Sequence, residues 1–325
     1  MAHLIKLDDY ISRYQLDLQR YPSQFTRLKK ERWELLKGSW IQVNTTRLES
    51  KKEDVYDDWF EDVNKGFVAK TFEKVKKLRK PAKEDGAGED SSFSYLKGKT
   101  KEDIREIFYY ELFQSQLKWA SSSLLEESRV HPRYRYDYRL RDFLRDFPDN
   151  YFFMYYPVFV VKGAPVEMEI IILSPTEVWC LSVLEGKDHS VFEASSDRFW
   201  NEYIDKERKK RLSPLLSLNR MSAIIKAVMK EEGFFMPVRQ GVLAPSSMID
   251  NKIVGTKVEM IDKRTYPEWL TKMKRHPSPV KGLQLKTAAA LLKHTHTVAC
   301  ERESTEDKEN PDDHLSFSEG YGNNK

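Results

Sequence analysis

Glu167 and Glu169 flank Met168 at the head of the apolar run Ile170–Leu173. Side chains two apart on a strand leave the same face, so the two carboxylates could share a hard divalent cation such as Mg²⁺. The wet face of a half-buried edge strand would read the same way. Farther on, Glu185-Gly186-Lys187 sets an acid and a lysine two apart. The stretch His131-Pro132-Arg133-Tyr134-Arg135-Tyr136-Asp137-Tyr138-Arg139 interleaves arginine with tyrosine. Guanidinium groups fork onto phosphate and aromatic rings stack on bases, which makes Arg133 and Arg135 candidates for nucleic-acid contact. Asp137, Asp142 and Asp146 oppose that reading; tyrosines anchored in a core with solvated charges would give the same pattern.

Two runs are strongly basic. Between Phe67 and Lys83, Lys70, Lys74, Lys76, Lys77, Arg79, Lys80 and Lys83 stand against Glu73 alone, and Lys206–Arg211 reads KERKKR. Either could follow a phosphate backbone or anionic lipid, with Lys74, Lys76, Lys77, Arg79, Lys209 and Lys210 as the contacting cations. A solvated helix face would be equally basic. His294-Thr295-His296 offers two imidazoles with no third ligand nearby. Cys180, in an apolar strand, reads as a small core residue.

Periodicity indicates the elements that hold these groups. Asp8 and Asp9 can cap a helix through Tyr10, Ile11, Tyr14, Leu16 and Leu18; further helices are expected over Ser23–Trp40 and Val55–Lys77. KPAKEDGAGEDSSF, Lys80–Phe93, has a linker's composition. Helices follow near Lys101–Ser121 and Tyr138–Phe147, then strands over Tyr151–Val161, Pro165–Leu173 and Val178–Val183. Gly163-Ala164-Pro165 and Ser174-Pro175-Thr176 break these strands into a meander. Arg211–Glu232 reads as a helix with Pro214 in its first turn and Gly233 as its stop. A strand is expected at Phe234–Leu243, and short helices at Thr265–Lys274 and Gly282–His294. The expected organisation is a helical region 1–80, a linker 81–98, an α/β domain 99–298 and an acidic tail 299–325.

Composition narrows the class. The chain has 325 residues, 33% of them charged, and a net charge of +4. No stretch approaches the roughly 20 apolar residues of a membrane span, and MAHLIKLDDYISRY turns acidic before an apolar run develops. Two cysteines suggest no disulfide framework. The expectation is therefore a cytoplasmic protein without membrane insertion. No phosphate loop, dinucleotide fingerprint, zinc-ribbon spacing or nucleophile elbow occurs.

The order helix, three-strand meander, helix, strand resembles the core of the restriction-endonuclease-like nucleases. In that fold a carboxylate begins the second strand and an acid-x-lysine pair lies on the third; the acids hold Mg²⁺ and the lysine positions the attacking water. EMEIIILSPTEVWCLSVLEG, Glu167–Gly186, is similar to the nuclease-related domain (NERD) family: an acidic pair, an apolar run, a turn, then a strand ending in Glu-x-Lys. RLSPLLSLNRM, Arg211–Met221, resembles the family's helix that opens Asn-Pro, with Ser213 for that Asn and Ser217 for a following Gln. Glu106, with Tyr109 and Leu112, is similar to the family's first-helix Glu. The resemblance covers about residues 101–250.

The departures lie at the chemistry. Alignment on the turn puts Ser182 at the family's catalytic Glu and Leu184 at its Lys. Glu185-Gly186-Lys187 comes three positions later, an odd offset that faces the other side of a regular strand unless a bulge intervenes. The resemblance thus implies vestigial positions Glu106, Glu167, Glu169, Ser182 and Leu184, no catalytic residue and no cofactor, with Glu167 and Glu169 as the remaining metal candidates. The function expected is binding of nucleic acid or a protein partner without cleavage. Two alternatives stand beside it: a Mg²⁺-dependent DNA nuclease using Glu106, Glu167, Glu169, Glu185 and Lys187, and an interaction protein acting through its N-terminal helices.

Overall fold

The computed structural model describes residues 1–45, 93–187, 189–205, 207–253 and 255–302. The helix expected over Val55–Lys77, the cations Lys74, Lys76, Lys77 and Arg79, most of the expected linker and the acidic stretch beyond Arg302 lie outside these residues. The chain divides into two compact units, Arg27–Glu111 and the combination of Met1–Thr26 with the residues from Leu112 onward.

In chain order the elements begin with strand β1 (His3–Leu7), helix α1 (Arg20–Thr45), helix α2 (Lys101–Trp119), strand β2 (Glu126–Glu127) and helix α3 (Tyr138–Asp146). Strands β3 (Phe152–Tyr155), β4 (Val158–Val161), β5 (Ala164–Glu167), β6 (Ile170–Leu173) and β7 (Val178–Val183) follow. Next come β8 (Val191–Ala194), β9 (Phe199–Ile204), β10 (Glu207–Leu212) and helix α4 (Pro214–Glu231). The chain closes with β11 (Val238–Ala244), β12 (Met248–Asn251), β13 (Glu259–Asp262), helices α5 (Tyr266–Lys274) and α6 (Gly282–Lys293), and β14 (Cys300–Glu301).

The smaller unit joins the parts of α1 and α2 that fall within it. Trp33 and Phe108 meet edge to face at 5.2 Å, and the Arg32 guanidinium forks onto Glu111 at 2.6 and 2.9 Å.

The larger unit is α/β. Its six-stranded sheet has the order β1-β3-β6-β7-β11-β13, and β6 alone runs against its neighbours. Strands β1, β3 and β6 are buried at every residue, as strands covered on both faces must be. One face carries Phe153, Tyr155, Ile172, Trp179 and Leu181 against α3 and α5, where Phe143, Phe147 and Trp269 complete the cluster. Helix α4 packs on the other face, over β7 and β11. Cys180, fully buried there, has its thiol pushed up to about 12 by burial, as a core cysteine should. Among the described residues no helix is long and apolar enough to cross a membrane.

Several expectations are corrected. The opening segment is not helical throughout: it starts with β1, followed by only a short turn of helix at Arg13–Gln15 before α1. Five residues buried on both faces carry no period, and their partner strand, β3, lies far along the chain. The strand expected over Tyr151–Val161 breaks at Tyr156, whose φ is 50°. The one expected over Pro165–Leu173 divides too. Its first part, β5, turns back on β4 through Lys162 and Gly163, with φ of 52° and 80°, a hairpin conformation that suits glycine. The meander is thus β3, β6 and β7, with the β4–β5 hairpin inserted.

A second sheet, order β10-β9-β8-β12, was not expected at all. Arg211 belongs to its edge strand β10 and not to the following helix, which starts at Pro214. Cys300 and Glu301 pair with Glu127 and Glu126, so the stretch expected to be tail begins as a strand.

Candidate functional site

The β6–β7 hairpin sets the geometry. Its turn is closed by Ser174, whose N–H donates to the Glu177 carbonyl at 3.0 Å and whose hydroxyl accepts from the Glu177 amide at 3.0 Å. The register runs from Leu173 opposite Val178 to Ile170 opposite Leu181. One step farther, Glu169 meets Ser182. The Ser182 hydroxyl donates to Glu169 Oε1 at 2.9 Å, and the Val183 amide donates to Oε2 at 3.2 Å. Ser182 is buried and Glu169 half-buried. Both oxygens of this carboxylate are thus held by neutral donors of the next strand. A carboxylate in place of Ser182 would face Glu169 at hydrogen-bonding distance, an arrangement that needs a cation or a shared proton.

Beside this pair, at the C-terminal ends of β3 and β7, lies a cavity of about 600 Å³. Asp8, Arg133, Asp137, Arg139, Tyr155, Tyr156, Glu167 and Glu185 contribute to its wall. Three of its four carboxylates have fixed partners. Asp8 accepts from the Tyr134 hydroxyl at 2.6 Å and from Arg133 at 3.1 Å. Asp137 caps α3 by accepting from the Leu140 amide at 2.9 Å, and its other oxygen accepts from the Tyr155 hydroxyl at 2.8 Å. Glu185 pairs with Arg139. Burial opposes the Arg139 charge, but the bond to Glu185 together with the fields of Glu185, Tyr155 and Tyr156 outweighs it and holds the guanidinium above its ordinary range. Tyr155 is raised far above the usual phenol range by burial and then by the Asp137 charge; Tyr134 is raised by burial and by its bond to Asp8. Apart from Glu167, the carboxylates of the wall are engaged, and Tyr134 and Tyr155 are held neutral.

No family model matches the chain, and no solved structure does. A stretch of 40 residues, 12% of this chain, is 50% identical to an RNA 2',3'-cyclic phosphodiesterase of Geobacillus stearothermophilus and spans only 13% of that protein. So short a match places neither the fold nor the site.

The expected site residues separate in space. Glu167 ends β5 and faces the cavity, whereas Glu169 precedes β6 and is turned to Ser182; buried Met168 stands between them. They do not share one strand face, because the chain changes sheets between them. Glu106 is an exposed residue of α2 in the smaller unit. Leu184, half-buried, continues the pairing with β11 through its N–H to the Leu243 carbonyl at 2.8 Å. Among the described residues no group of three or more His, Cys, Asp or Glu side chains is gathered as a metal site.

Glu185-Gly186-Lys187 lies beyond the end of β7, so strand alternation does not govern it. The loop is tightly built: a Cβ on Gly186 would stand 2.4 Å from the Ser247 hydroxyl oxygen. Glu185 reaches the cavity wall, while Lys187 is exposed and its backbone N–H donates to Ser190 at 2.8 Å.

The arginine–tyrosine stretch is split as well. Tyr134 is buried with the Arg133 guanidinium 4.6 Å above its ring, while Arg135, Tyr136 and Tyr138 are exposed. Lys209 and Lys210 sit on the exposed edge strand β10. His294 and His296 flank buried Thr295, and among the described residues no third ligand is gathered with them. Sequence reasoning missed Asp8, Asp137, Tyr155 and Tyr156 as cavity residues; only the N-cap position of Asp137, just before α3, carried a signal.

Proposed function

We propose that this chain is a nuclease-fold protein related to the NERD family, that its phosphodiester-cutting centre has decayed, and that it binds nucleic acid without cutting it. The strand order supports the fold part of this reading. A helix, the β3-β6-β7 meander, helix α4 and the parallel strand β11 follow the sequence of elements of the restriction-endonuclease-like core. The resemblance places the acidic pair at Glu167 and Glu169 and the second carboxylate's position at Ser182; of these, Glu169 and Ser182 stand opposite one another.

The observation that carries the reading is the hydrogen bond from Ser182 to Glu169. Metal-assisted hydrolysis draws several kcal/mol of transition-state stabilisation from a cation held by converging carboxylates. Here the second carboxylate is replaced by a hydroxyl that satisfies the first one directly, and Leu184 supplies neither proton nor charge where the family has lysine. What is left suits binding more than catalysis.

The test is incubation of the pure protein with supercoiled and single-stranded DNA in Mg²⁺ or Mn²⁺. Neither substrate is expected to be cut. Cleavage that disappears in Glu169→Ala would overturn the reading.

A further inference from the structure

The four-stranded sheet presents one face to its own unit and one to solvent. Along β9, Trp200, Glu202 and Ile204 are buried while Phe199 and Tyr203 are 46% and 39% exposed. Across the β9–β10 pair, Arg208 stands opposite Tyr203, Lys210 opposite Asn201, and Leu212 opposite Phe199. Directly opposed residues share a face, so the exposed Tyr203 ring lies beside Arg208, and Lys210 sits opposite Asn201, between the two rings in sequence along the face. The Arg208 guanidinium donates to Asn201 at 2.9 Å, and the Arg198 guanidinium sits 5.7 Å above the Phe199 ring. Among the described residues neither Arg208 nor Lys210 meets a carboxylate. Of the acids of this face, Glu193 on β8 stands opposite Asn201 and accepts from its amide at 2.9 Å and from the Tyr203 hydroxyl at 3.0 Å, and it and Asp250 on β12 both pair with Lys252.

A second observation adjoins the first. A cavity of about 590 Å³ opens where the chain leaves β10 for the 18-residue helix α4, with Arg198 and Ser213 in its wall. Ser213 is the N-cap of that helix, yet its hydroxyl makes no cap bond. It is 2% exposed, and among the described residues its oxygen has no hydrogen-bond partner. An unmatched buried hydroxyl at a helix N-terminus, in a cavity whose wall also carries Arg198, is the kind of feature that takes a phosphate group. Asp197, also in that wall, accepts from the Ser195 hydroxyl at 3.3 Å.

We propose that the outer face of this sheet is a platform for single-stranded nucleic acid. Bases stack on Phe199 and Tyr203, the backbone runs along Arg208 and Lys210, and one phosphate seats at the start of α4 between Arg198 and Ser213. Exposed aromatic rings with cations on the neighbouring strand are the chemistry single strands require, since every base offers a π-face and every linkage a charge. A second copy pairing edge to edge on β10 would bring Arg208, Lys209, Lys210 and Arg211 against themselves, which like charges disfavour. The inference shares with the proposed function only the class of ligand; it concerns a different surface from Glu169 and Ser182.

The test titrates the full chain with fluorescein-labelled oligo-dT, oligo-U and a duplex, followed by anisotropy at roughly 50 and 200 mM salt. Single strands are expected to bind more tightly than duplex, with affinity falling as salt rises. Phe199→Ala should weaken strand binding by about fivefold to a hundredfold. Arg208→Gln with Lys210→Gln should flatten the salt dependence by roughly 1.4 in logarithmic slope. Ser213→Ala, which removes no internal bond, should lower affinity without lowering the melting temperature. Duplex-only binding, strand binding indifferent to all these changes, or a dimer in sedimentation that Phe199→Ala dissolves while strand binding persists would overturn the platform. None of those outcomes bears on cleavage, by which the non-cutting reading stands or falls.

Discussion

Glu169 and Ser182 face each other across the β6–β7 pair, and the serine hydroxyl lies 2.9 Å from the carboxylate. Their energetics yield the first prediction. Ser182→Ala removes a hydrogen bond to an ionised group, and because Glu169 is half-buried the cost should be about 1 kcal/mol. Ser182→Glu should cost more at neutral pH, since two carboxylates then oppose each other. Mn²⁺ should restore part of that loss and raise the melting temperature of this variant while leaving the parent unchanged. Thermal melts with and without Mn²⁺ decide it; an equal response in both proteins would mean the two positions do not form a metal pair.

Asp137 serves two partners at once, the Leu140 amide at the start of α3 and the Tyr155 hydroxyl. Asp137→Ala should therefore lose a helix cap and leave a buried phenol unmatched, a combined cost of about 2–3 kcal/mol. Asp137→Asn keeps an acceptor at the cap and should recover roughly half of that. Urea denaturation of the two variants measures the difference. Equal destabilisation by both would show that the charge, and not the cap, is what matters.

Gly186 is needed for space. A Cβ there would stand 2.4 Å from the Ser247 oxygen, 2.8 Å from the Ser190 Cβ and 2.9 Å from the Phe192 ring. The Ser247 hydroxyl is itself engaged, donating to the Lys187 carbonyl at 3.2 Å. Gly186→Ala should cost about 1–3 kcal/mol, as overpacking does. Chemical denaturation checks it, and a neutral effect would mean that the loop after β7 is loosely built.

What the sequence made legible follows from how local each feature is. Helix α4 was readable because Pro214 and Gly233 mark its ends within one segment, and Gly233 does take the left-handed conformation, φ 71°. The opposition of Glu169 and Ser182 was implicit in the Ser174–Glu177 turn, because a tight turn fixes the register of everything behind it. Strand β1 was hidden because its pairing with β3 joins residues far apart in the chain. The second sheet was hidden because β10, at ERKKRL, is exposed at every position and shows no alternation. The cavity at the ends of β3 and β7 was illegible for the same reason as β1: Asp8, Asp137 and Glu185 come from three distant segments.

Lys6 gives the last prediction. It is fully buried on β1, donating to the Tyr10 carbonyl at 2.6 Å and to Thr297 at 3.0 Å. Burial lowers its pKa to about 7, with Asp9 and Asp8 opposing the shift. In the unfolded chain a lysine keeps its proton to about pH 10.4. Between pH 7 and about 9 the unfolded state therefore binds more protons than the folded one, and stability rises with pH, by at most about 1.4 kcal/mol per unit. From about pH 9 the rise is offset, because the buried Cys180 thiol, pushed up to about 12, keeps its proton in the fold while an unfolded thiol loses it. Above about pH 10 the sign reverses, because Tyr134 and Tyr155 have raised values and stay neutral in the fold while unfolded tyrosines ionise. Stability should thus climb from neutral pH to a maximum at about pH 9 to 10 and then fall. Lys6→Met should remove the climb and leave the fall. Urea denaturation at intervals from pH 6 to 11 would show both limbs, and a climb of the same slope in the methionine variant would exclude Lys6 as its source.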